Sequence, residues 1–294
     1  FNDFTGGGIT LSNLFSCWGK EELAVACVPH LLKNVSNKLC NNYYQLGKKE
    51  HRWIFPFNLI QREFRSGTLN FETENVDYKN ISKNKYRKLL VDLLFYPLLK
   101  QAGLFHSMSK INPSKELFKW VDDFKPDILY VQVSTRKDFY FTEVLYEYLK
   151  IPMVIHIMDD WPSTISNKGL LKKYWFRKID REFRSLLNKA TLLMTISDQM
   201  SEEYEHRYQN KFIAFHNTVD IGLWKKFQLD KPPVFLYAGR IGIGIDNSLK
   251  SIAKAIQIVN EELKLEIRFV IQTKETYRWY KDFNCVQHKT FEPY

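Results

Sequence analysis

Three short segments of the chain combine residue types that could do chemistry. The first is the glycine run Gly6, Gly7 and Gly8, which stands before apolar residues at helical spacing. Glycine lets the backbone approach a ligand closely, and free amides at a helix N-terminus attract phosphate and other anions. An anion-binding turn and a plain tight turn both fit this run, which matches neither the dinucleotide-binding nor the Walker glycine pattern.

The second segment joins a strand pattern, a glycine loop and a helix pattern, and it contains Arg240, Gly242 and Gly244. The two glycines permit close approach of a ligand, and Asp246 or Asn247 could cap the helix. Arg240 could hold phosphate oxygens through two parallel hydrogen bonds. The segment predicts a diphosphate site at the carboxyl edge of a parallel sheet, and a turn with a surface arginine is the alternative.

The third segment lies at the end of an apolar strand pattern and contains His156, Asp159, Asp160 and Trp161. Strand alternation puts His156 and Asp160 on one side and Asp159 on the other, unless the strand has already ended. A histidine on an apolar strand is commonly a satisfied core residue. Two adjacent carboxylates and a tryptophan nevertheless favour a binding site, because α/β enzymes place such residues just past buried strands.

Short apolar runs that alternate with helical patterns must position these segments. The predicted strands cover residues 128–133, 153–158, 192–196, 212–215, 234–238 and 265–271. Apolar residues at steps of three and four predict helices over 141–149 and 249–263. This alternation predicts the α/β class, with parallel sheets covered by helices on both faces.

A polar, proline-marked stretch at residues 228–233 predicts a domain boundary. We place the hinge near residue 229, which gives an N-terminal domain of residues 1–228 and a C-terminal domain of residues 229–294. The second stretch has room for about three strands, which is short for this class. Because the chain opens on Phe1 directly before a glycine cluster, we expect it to be a fragment.

Lys and Arg total 43 against 33 Asp and Glu, and the excess is concentrated between Lys168 and Lys189, where eight basic residues face two acidic ones. Apolar residues recur there every three or four positions, so the segment predicts a helix with one apolar stripe and one cationic face. Such a helix could lie on an anionic membrane, or it could pack on the core with a solvated basic face. Binding to nucleic acid is not expected, because no zinc finger, RNP-like strand or helix-turn-helix is recognisable.

Composition limits the class of protein further. Hydrophobic residues make up 45% of the 294 residues, and no window approaches the apolar length of a membrane span, so we expect a globular protein. The 4 cysteines form no C-x-x-C pair and no zinc spacing with histidine, which favours a reducing compartment. We therefore expect a cytoplasmic protein, with peripheral attachment to the inner face of the membrane as a further possibility.

Six motifs follow one another along nearly the whole chain: Gly6 to Gly8, Lys125 to Asp127, His156 with Asp159 to Pro162, Thr195 to Ser197, Asn217 to Asp220, and Gly239 with Arg240. This ordered set resembles the GT-B glycosyltransferases, specifically the retaining family-four type. The resemblance implies two facing Rossmann-like domains with parallel sheets, of which the second would be truncated here. It implies that a nucleotide-sugar is held mainly by the second domain and the acceptor mainly by the first.

The resemblance also implies a role for each candidate residue. It assigns the donor diphosphate to Arg240, Gly242 and Gly244, the lining of the cleft to Gly6, Gly7 and Gly8, and the orientation of the acceptor and the transferring sugar to His156, Asp159 and Asp160. Side chains and helix amides usually neutralise the diphosphate in such enzymes, so no metal or other cofactor is expected. The family's glutamate pair for ribose and sugar would lie beyond Tyr294, and the chain by itself is expected to be inactive.

The implied reaction moves a sugar from a nucleotide diphosphate to a hydroxyl of a glycan or lipid-linked acceptor, with retention of configuration. Two other classes of protein are alternatives to this transferase. A nicotinamide-dependent enzyme would need the G-x-G-x-x-G spacing, which residues 239, 242 and 244 do not fit. A non-catalytic membrane-surface or scaffold protein, in which the cationic helix is the functional part, is the alternative.

Overall fold

The computed structural model describes residues 1–2, 5–32, 35–55, 57–61, 63–69, 95–164, 169–217, 222, 233–241 and 245–290. The chain comprises two compact units, Phe1–Val219 and Asp220–Tyr294. The expected hinge near residue 229 lies outside the described residues, as do Lys168, Gly242 and Gly244.

The first unit holds nine described strands: β1 (Ala24–Cys27), β2 (Asn42–Gln45), β3 (His51–Trp53), β4 (Gly67–Thr68), β5 (Ser109–Ile111), β6 (Leu129–Val131), β7 (Met153–Ile157), β8 (Leu192–Thr195) and β9 (Ile213–Ala214). Its described α-helices are α1 (Gly6–Leu14), α2 (Tyr96–Gln101), α3 (Lys115–Phe124), α4 (Arg136–Leu149), α5 (Trp161–Thr164), α6 (Lys172–Leu187) and α7 (Asp198–Tyr208). Short 3-10 turns cover Lys20–Glu22, Pro29–Leu31, Phe57–Ile60 and Phe105–Ser107.

Strands β6 to β9 form one sheet in sequential order, and every pair in it is parallel. Helix α4 connects β6 to β7, α5 and α6 connect β7 to β8, and α7 connects β8 to β9. Parallel neighbours need such crossovers, which explains why apolar runs alternate with helical patterns in this part of the sequence. The first four predicted strands and the predicted helix over 141–149 are confirmed.

The remaining strands of the first unit are arranged differently. Strand β1 pairs in parallel with β2, and β2 pairs antiparallel with β4. Strands β3 and β5 form a separate antiparallel pair. Leu46, Leu117 and Leu145 belong to one buried apolar cluster, on which Ala26 and Leu129 also pack, so β1, β2 and β6 share a core with α3 and α4.

Helix α6 supplies a large part of the core beside the parallel sheet. Its buried residues Trp175, Ile179 and Phe183 recur every four positions and pack with Ile155 and Ile157 of β7. The apolar stripe that the sequence predicts is thus covered mainly by protein. Of the apolar residues that form this stripe, only the first in the sequence, Leu171, is exposed. Core packing therefore accounts for the periodicity of this helix.

Most helix ends in the first unit follow from local sequence. The Ser114 and Ser197 hydroxyls accept hydrogen bonds from the amides of Leu117 and Met200, which caps the start of α3 and α7. Helices α3, α4 and α7 are followed by Lys125, Lys150 and Gln209 in the left-handed conformation, with φ of 56°, 54° and 58°. That conformation lets each terminal amide donate back to the preceding turn.

The second unit has three described strands, β10 (Val234–Ala238), β11 (Arg268–Gln272) and β12 (Val286–Lys289), which are parallel in sequential order. Helix α8 (Ile245–Leu263) crosses from β10 to β11, and a 3-10 turn at Arg278–Asp282 precedes β12. Ala253, Ile271 and Trp279 lie in its buried core. The fifth and sixth predicted strands and the predicted second helix are confirmed, and both all-parallel sheets agree with the α/β class.

Candidate functional site

The candidate site in the first unit surrounds the carboxyl end of β7. His156 lies on that strand and is only 1% exposed. Its Nδ1 is 2.7 Å from the Tyr130 hydroxyl on β6, and the rings of Tyr130 and Phe215 stand edge-on to the imidazole. This environment corresponds to the core-residue interpretation of His156.

The protonation of this pair follows from its burial. Burial lowers the pKa of His156, and the backbone of Phe215 partly offsets that effect, although Nε2 makes no hydrogen bond of normal geometry within the described ranges. Burial raises the pKa of Tyr130 to about 12. Gln132 donates to the Tyr130 oxygen at 3.1 Å, which leaves the phenol proton for Nδ1 of His156. A neutral imidazole therefore accepts from a neutral phenol.

The two carboxylates after β7 have different surroundings. Strand β7 ends at Ile157, so strand alternation does not extend to Asp159 and Asp160. Asp160 accepts hydrogen bonds at 2.8 Å from the Tyr204 hydroxyl and from Arg207, both on α7. The Asp159 carboxylate is exposed and has no polar partner in the described part of the chain. Asp159 is therefore available to a ligand, whereas Asp160 ties the turn to α7.

The glycine run differs from its expected position. Helix α1 begins at Gly6, so the glycines form its first turn rather than a loop before it. The Thr5 hydroxyl accepts from the Gly8 amide at 3.1 Å, and Asn2 in turn accepts from the amide and hydroxyl of Thr5. The N-cap residue Thr5 therefore already accepts from the Gly8 amide, which was a candidate for binding an anion.

The three glycines also differ from one another in their surroundings. A Cβ on Gly8 would overlap the Asn2 side chain, so close packing requires glycine there. Gly6 and Gly7 are exposed, and nothing lies within 4 Å of a Cβ built on either. Helix α1 reaches the candidate site through Phe15, whose ring stands edge-on to Tyr130 at 5.1 Å. The glycines thus start a helix whose other end contacts Tyr130, the hydrogen-bond partner of His156.

In the second unit, Arg240 is exposed and is separated from the end of β10 by Gly239. Its carbonyl accepts a hydrogen bond from the Tyr237 hydroxyl at 2.9 Å, which orders the turn. The Thr273 hydroxyl lowers the pKa of Glu275, and the nearby charge of Arg240 acts in the same direction. Asp246, in the first turn of α8, accepts from the Trp279 indole at 2.7 Å. The arginine therefore lies at the carboxyl edge of the sheet, and its binding of a diphosphate stays a prediction.

Some residues of these sites escaped the sequence analysis. Tyr130 and Arg207 contact candidate residues that are 26 and 47 positions away in the chain. Thr195, fully buried on β8, bonds the Ser201 hydroxyl at 2.7 Å and so fixes the start of α7. For Thr195, the sequence indicated only a motif at the end of a strand and not this contact. Residues that meet from different helices and strands leave no local pattern in the sequence, so their contacts could not be predicted from spacing.

No group of His, Cys, Asp and Glu side chains within the described ranges could hold a metal ion. The same ranges contain no helix that combines the length and apolarity needed to span a membrane. Comparison with known protein families and with curated protein sequences finds no match. The fold by itself defines an α/β protein with two all-parallel sheets, which is consistent with Rossmann-like folds.

Proposed function

We propose that this chain is part of a GT-B glycosyltransferase, which transfers a sugar from a nucleotide diphosphate-sugar to an acceptor hydroxyl with retention of configuration. The observation that carries the proposal is the position of Arg240, exposed between the end of β10 and the start of α8. In parallel α/β sheets ligands bind at this edge, where a guanidinium can hold two phosphate oxygens. Negative charge on the departing diphosphate would be stabilised there.

The first unit supports the acceptor side of the proposal. Asp159 presents a free carboxylate beyond β7, and Asp160 is held by Arg207 and Tyr204. In this proposal the carboxylates orient acceptor hydroxyls, and His156 acts by fixing Tyr130. The acceptor is a glycan or a lipid-linked glycan precursor.

Replacing Arg240 with alanine is expected to weaken binding of a nucleoside diphosphate by about 1.5 to 3 kcal/mol, because one charge-assisted contact is lost. Titration calorimetry with UDP, GDP and ADP measures the effect. Arg268→Ala is the matched control, because Arg268 is exposed at the amino end of β11, on the opposite edge of the same sheet. We expect the control to bind as tightly as the unchanged chain.

Two results of this titration would count against the proposal. Equal affinity in the Arg240→Ala variant would remove Arg240 from the diphosphate site. An absence of saturable binding for every nucleoside diphosphate would contradict sugar transfer and favour the non-catalytic alternative.

A second candidate function rests on the start of helix α6. Leu170 is 84% exposed, and Leu171, Tyr174 and Phe176 are also exposed. Exposed lysines and arginine lie among them, and the four apolar residues together with Lys172, Lys173 and Arg177 are called the basic-apolar surface. None of its three cations has a carboxylate partner among the residues with described positions. Apolar side chains surrounded by unpaired cations favour binding to an anionic membrane.

The double variant Lys172→Ala, Lys173→Ala is expected to bind anionic vesicles about 30-fold more weakly, at about 1 kcal/mol for each lysine removed. Sedimentation with phosphatidylserine vesicles at low salt measures this, and added salt should release the unchanged protein. The double variant Lys250→Ala, Lys254→Ala removes the same charge from the exposed side of α8 and should bind like the unchanged protein. Binding that ignores salt, or equal losses in the two variants, would contradict a specific membrane surface.

A further inference from the structure

Three basic side chains from distant parts of the sequence meet in the first unit, and we call them the cationic cluster: His30, His51 and Lys137. His30 lies in the 3-10 turn that follows β1, and His51 opens β3 just after the end of β2. Lys137 lies in the first turn of α4, after β6. Each member therefore follows the carboxyl end of a strand in the part of the unit where β1, β2 and β6 share a core.

The members of the cationic cluster lie close to one another. The Lys137 ammonium is 3.4 Å from Nε2 of His51. Because an ammonium only donates, Nε2 accepts and the neutral ring carries its proton on Nδ1. His30 is near enough for its charge to act on His51, and Lys137 acts on His30 in the same way. Three groups that carry positive charge when protonated thus share one small volume.

Other charged groups around the cationic cluster compensate its charge only in part, and the nearby carboxylate of Asp138 acts to raise the pKa of both His30 and Lys137. Arg52 flanks His51, Lys110 lies on the partner strand β5, and Arg136 pairs with Glu182. The Asp138 carboxylate accepts hydrogen bonds from the Ser134 and Thr135 amides and so caps α4. The Glu50 carboxylate is buried and accepts from the hydroxyls of Tyr44, Ser66 and Ser114. In the described part of the chain, no carboxylate pairs with Lys137.

Burial and mutual repulsion both act against positive charge in the cationic cluster. Burial lowers the pKa of His51 to about 4, and the charges of Lys137 and His30 add to that effect. Burial also lowers the pKa of Lys137, and partial desolvation together with the charge of Lys137 lowers the pKa of His30, which is an exposed residue. A bound anion would remove this repulsion and raise all three pKa values.

The start of α4 adds two features that suit an anion. The positive end of the helix dipole acts on the space beside Lys137. The Thr135 hydroxyl oxygen, at the N-cap, is buried without a hydrogen-bond partner among the described residues. A phosphoryl group accepts hydrogen bonds from hydroxyl, ammonium and imidazolium donors alike.

We propose that the cationic cluster binds the phosphoryl group of a ligand, through Lys137, His51 and His30 at the start of α4. The site itself does not depend on sugar transfer. Together with the proposed function, on which this step rests, the site implies that the acceptor of the sugar carries a phosphoryl group. That phosphoryl group belongs either to a soluble metabolite or to a lipid headgroup.

Titration with inorganic sulfate, followed by histidine NMR signals, tests the site. The charge of sulfate does not change between about pH 8 and about pH 4, a range that reaches the lowered pKa of His51, so changes in affinity report protein groups alone. We expect saturable shifts of two of the 7 histidines. Affinity should rise as the pH falls, because the bound anion raises the pKa of His30 and His51 and protons are taken up. The His51→Gln variant should flatten this pH dependence.

Lys137→Met, which keeps the length of the side chain, should weaken sulfate binding about tenfold or more. Lys115→Met is the matched control, because Lys115 is an exposed lysine in the first turn of α3 in the same unit. Unchanged binding in Lys137→Met, equal losses in both variants, or no histidine shift would overturn the inference. Circular dichroism checks folding, and His51→Gln supplies a second test if Lys137→Met does not fold.

Two further titrations separate the possible sources of the phosphoryl group and the two proposals. Glycerol 3-phosphate competing with sulfate indicates a soluble ligand, whereas competition by phosphatidic acid vesicles alone indicates a headgroup. Competition by neither would overturn the assignment to a phosphoryl group. The Lys137→Met variant should bind nucleoside diphosphates normally, since Arg240 lies in the other unit. If the unchanged protein binds sulfate but no nucleoside diphosphate, that result contradicts only the proposed function.

Discussion

Replacing Phe183 with alanine is expected to lower the free energy of unfolding of the first unit by about 3 to 5 kcal/mol. Phe183 is 0% exposed, and the rings of Phe139, Trp161 and Tyr208 lie 5.5, 5.4 and 5.2 Å from it. Removing the ring forfeits its burial and leaves a cavity between helices α4, α5, α6 and α7, which rigid neighbours cannot fill. Urea unfolding followed by tryptophan fluorescence measures the loss.

Phe176→Ala is the matched control for this experiment. Phe176 lies on the same helix and is 49% exposed, so its removal should change the free energy of unfolding by no more than about 0.5 kcal/mol. A similar loss in both variants would mean that the described packing of α6 is wrong. The pair also tests which side of this helix belongs to the core.

Replacing Glu50 with alanine is expected to cost the first unit about 3 kcal/mol. Its fully buried carboxylate accepts from Tyr44 at 3.0 Å, from Ser114 at 2.5 Å and from Ser66 at 2.6 Å. These three hydroxyls belong to β2, to the cap of α3 and to the segment before β4. Without the acceptor, the buried Tyr44 hydroxyl and the half-buried hydroxyls of Ser66 and Ser114 each lose a hydrogen bond, which costs free energy where water cannot replace it. Chemical unfolding measures the change.

Glu50→Gln is the conservative counterpart. Its amide oxygen can still accept from Tyr44 and Ser114, and its amide nitrogen can donate to the Ser66 oxygen. We expect a loss smaller than about 1 kcal/mol. If alanine were tolerated as well as glutamine, the carboxylate would not link the three elements.

The parallel sheets could be predicted from sequence because most of their strands are short apolar runs, although β10 itself is largely exposed in the structure. Apart from His156, the run that forms β7 is apolar throughout, and helical spacing of apolar residues separates such runs. The pattern gives both the strand and its crossover helix within one short stretch of chain. Short strands such as β3 and β4, with 3 and 2 residues, carry too few positions to show any period.

The candidate sites could be predicted only in part. The position of Arg240 follows from a local pattern of strand, turn and helix. The start of α1 was misplaced, because Thr5 and Asn2 satisfy a cap that lets the helix begin at the first glycine. The cationic cluster could not be foreseen, since its members meet only after three separate strands have packed.

Helix α6 illustrates a limit of periodicity. Its spacing predicts an apolar stripe but does not say whether protein or lipid covers it. The structure places Trp175 and Phe183 in the core, while Leu170 and Tyr174 remain exposed at the helix start. Core packing therefore accounts for the buried part of this segment, whereas membrane binding by its exposed start stays a prediction.

The left-handed residues after several helices have a consequence for heat tolerance. Lys125, Lys150, Gln209 and Lys264 all have φ between 53° and 58°, a conformation that costs a side-chain-bearing residue about 1 kcal/mol relative to glycine. Their long polar side chains keep these corners hydrated, and the three lysines also place charge at the negative ends of helix dipoles. Glycine at these four helix ends would avoid that cost and is expected to raise the thermal stability of the chain.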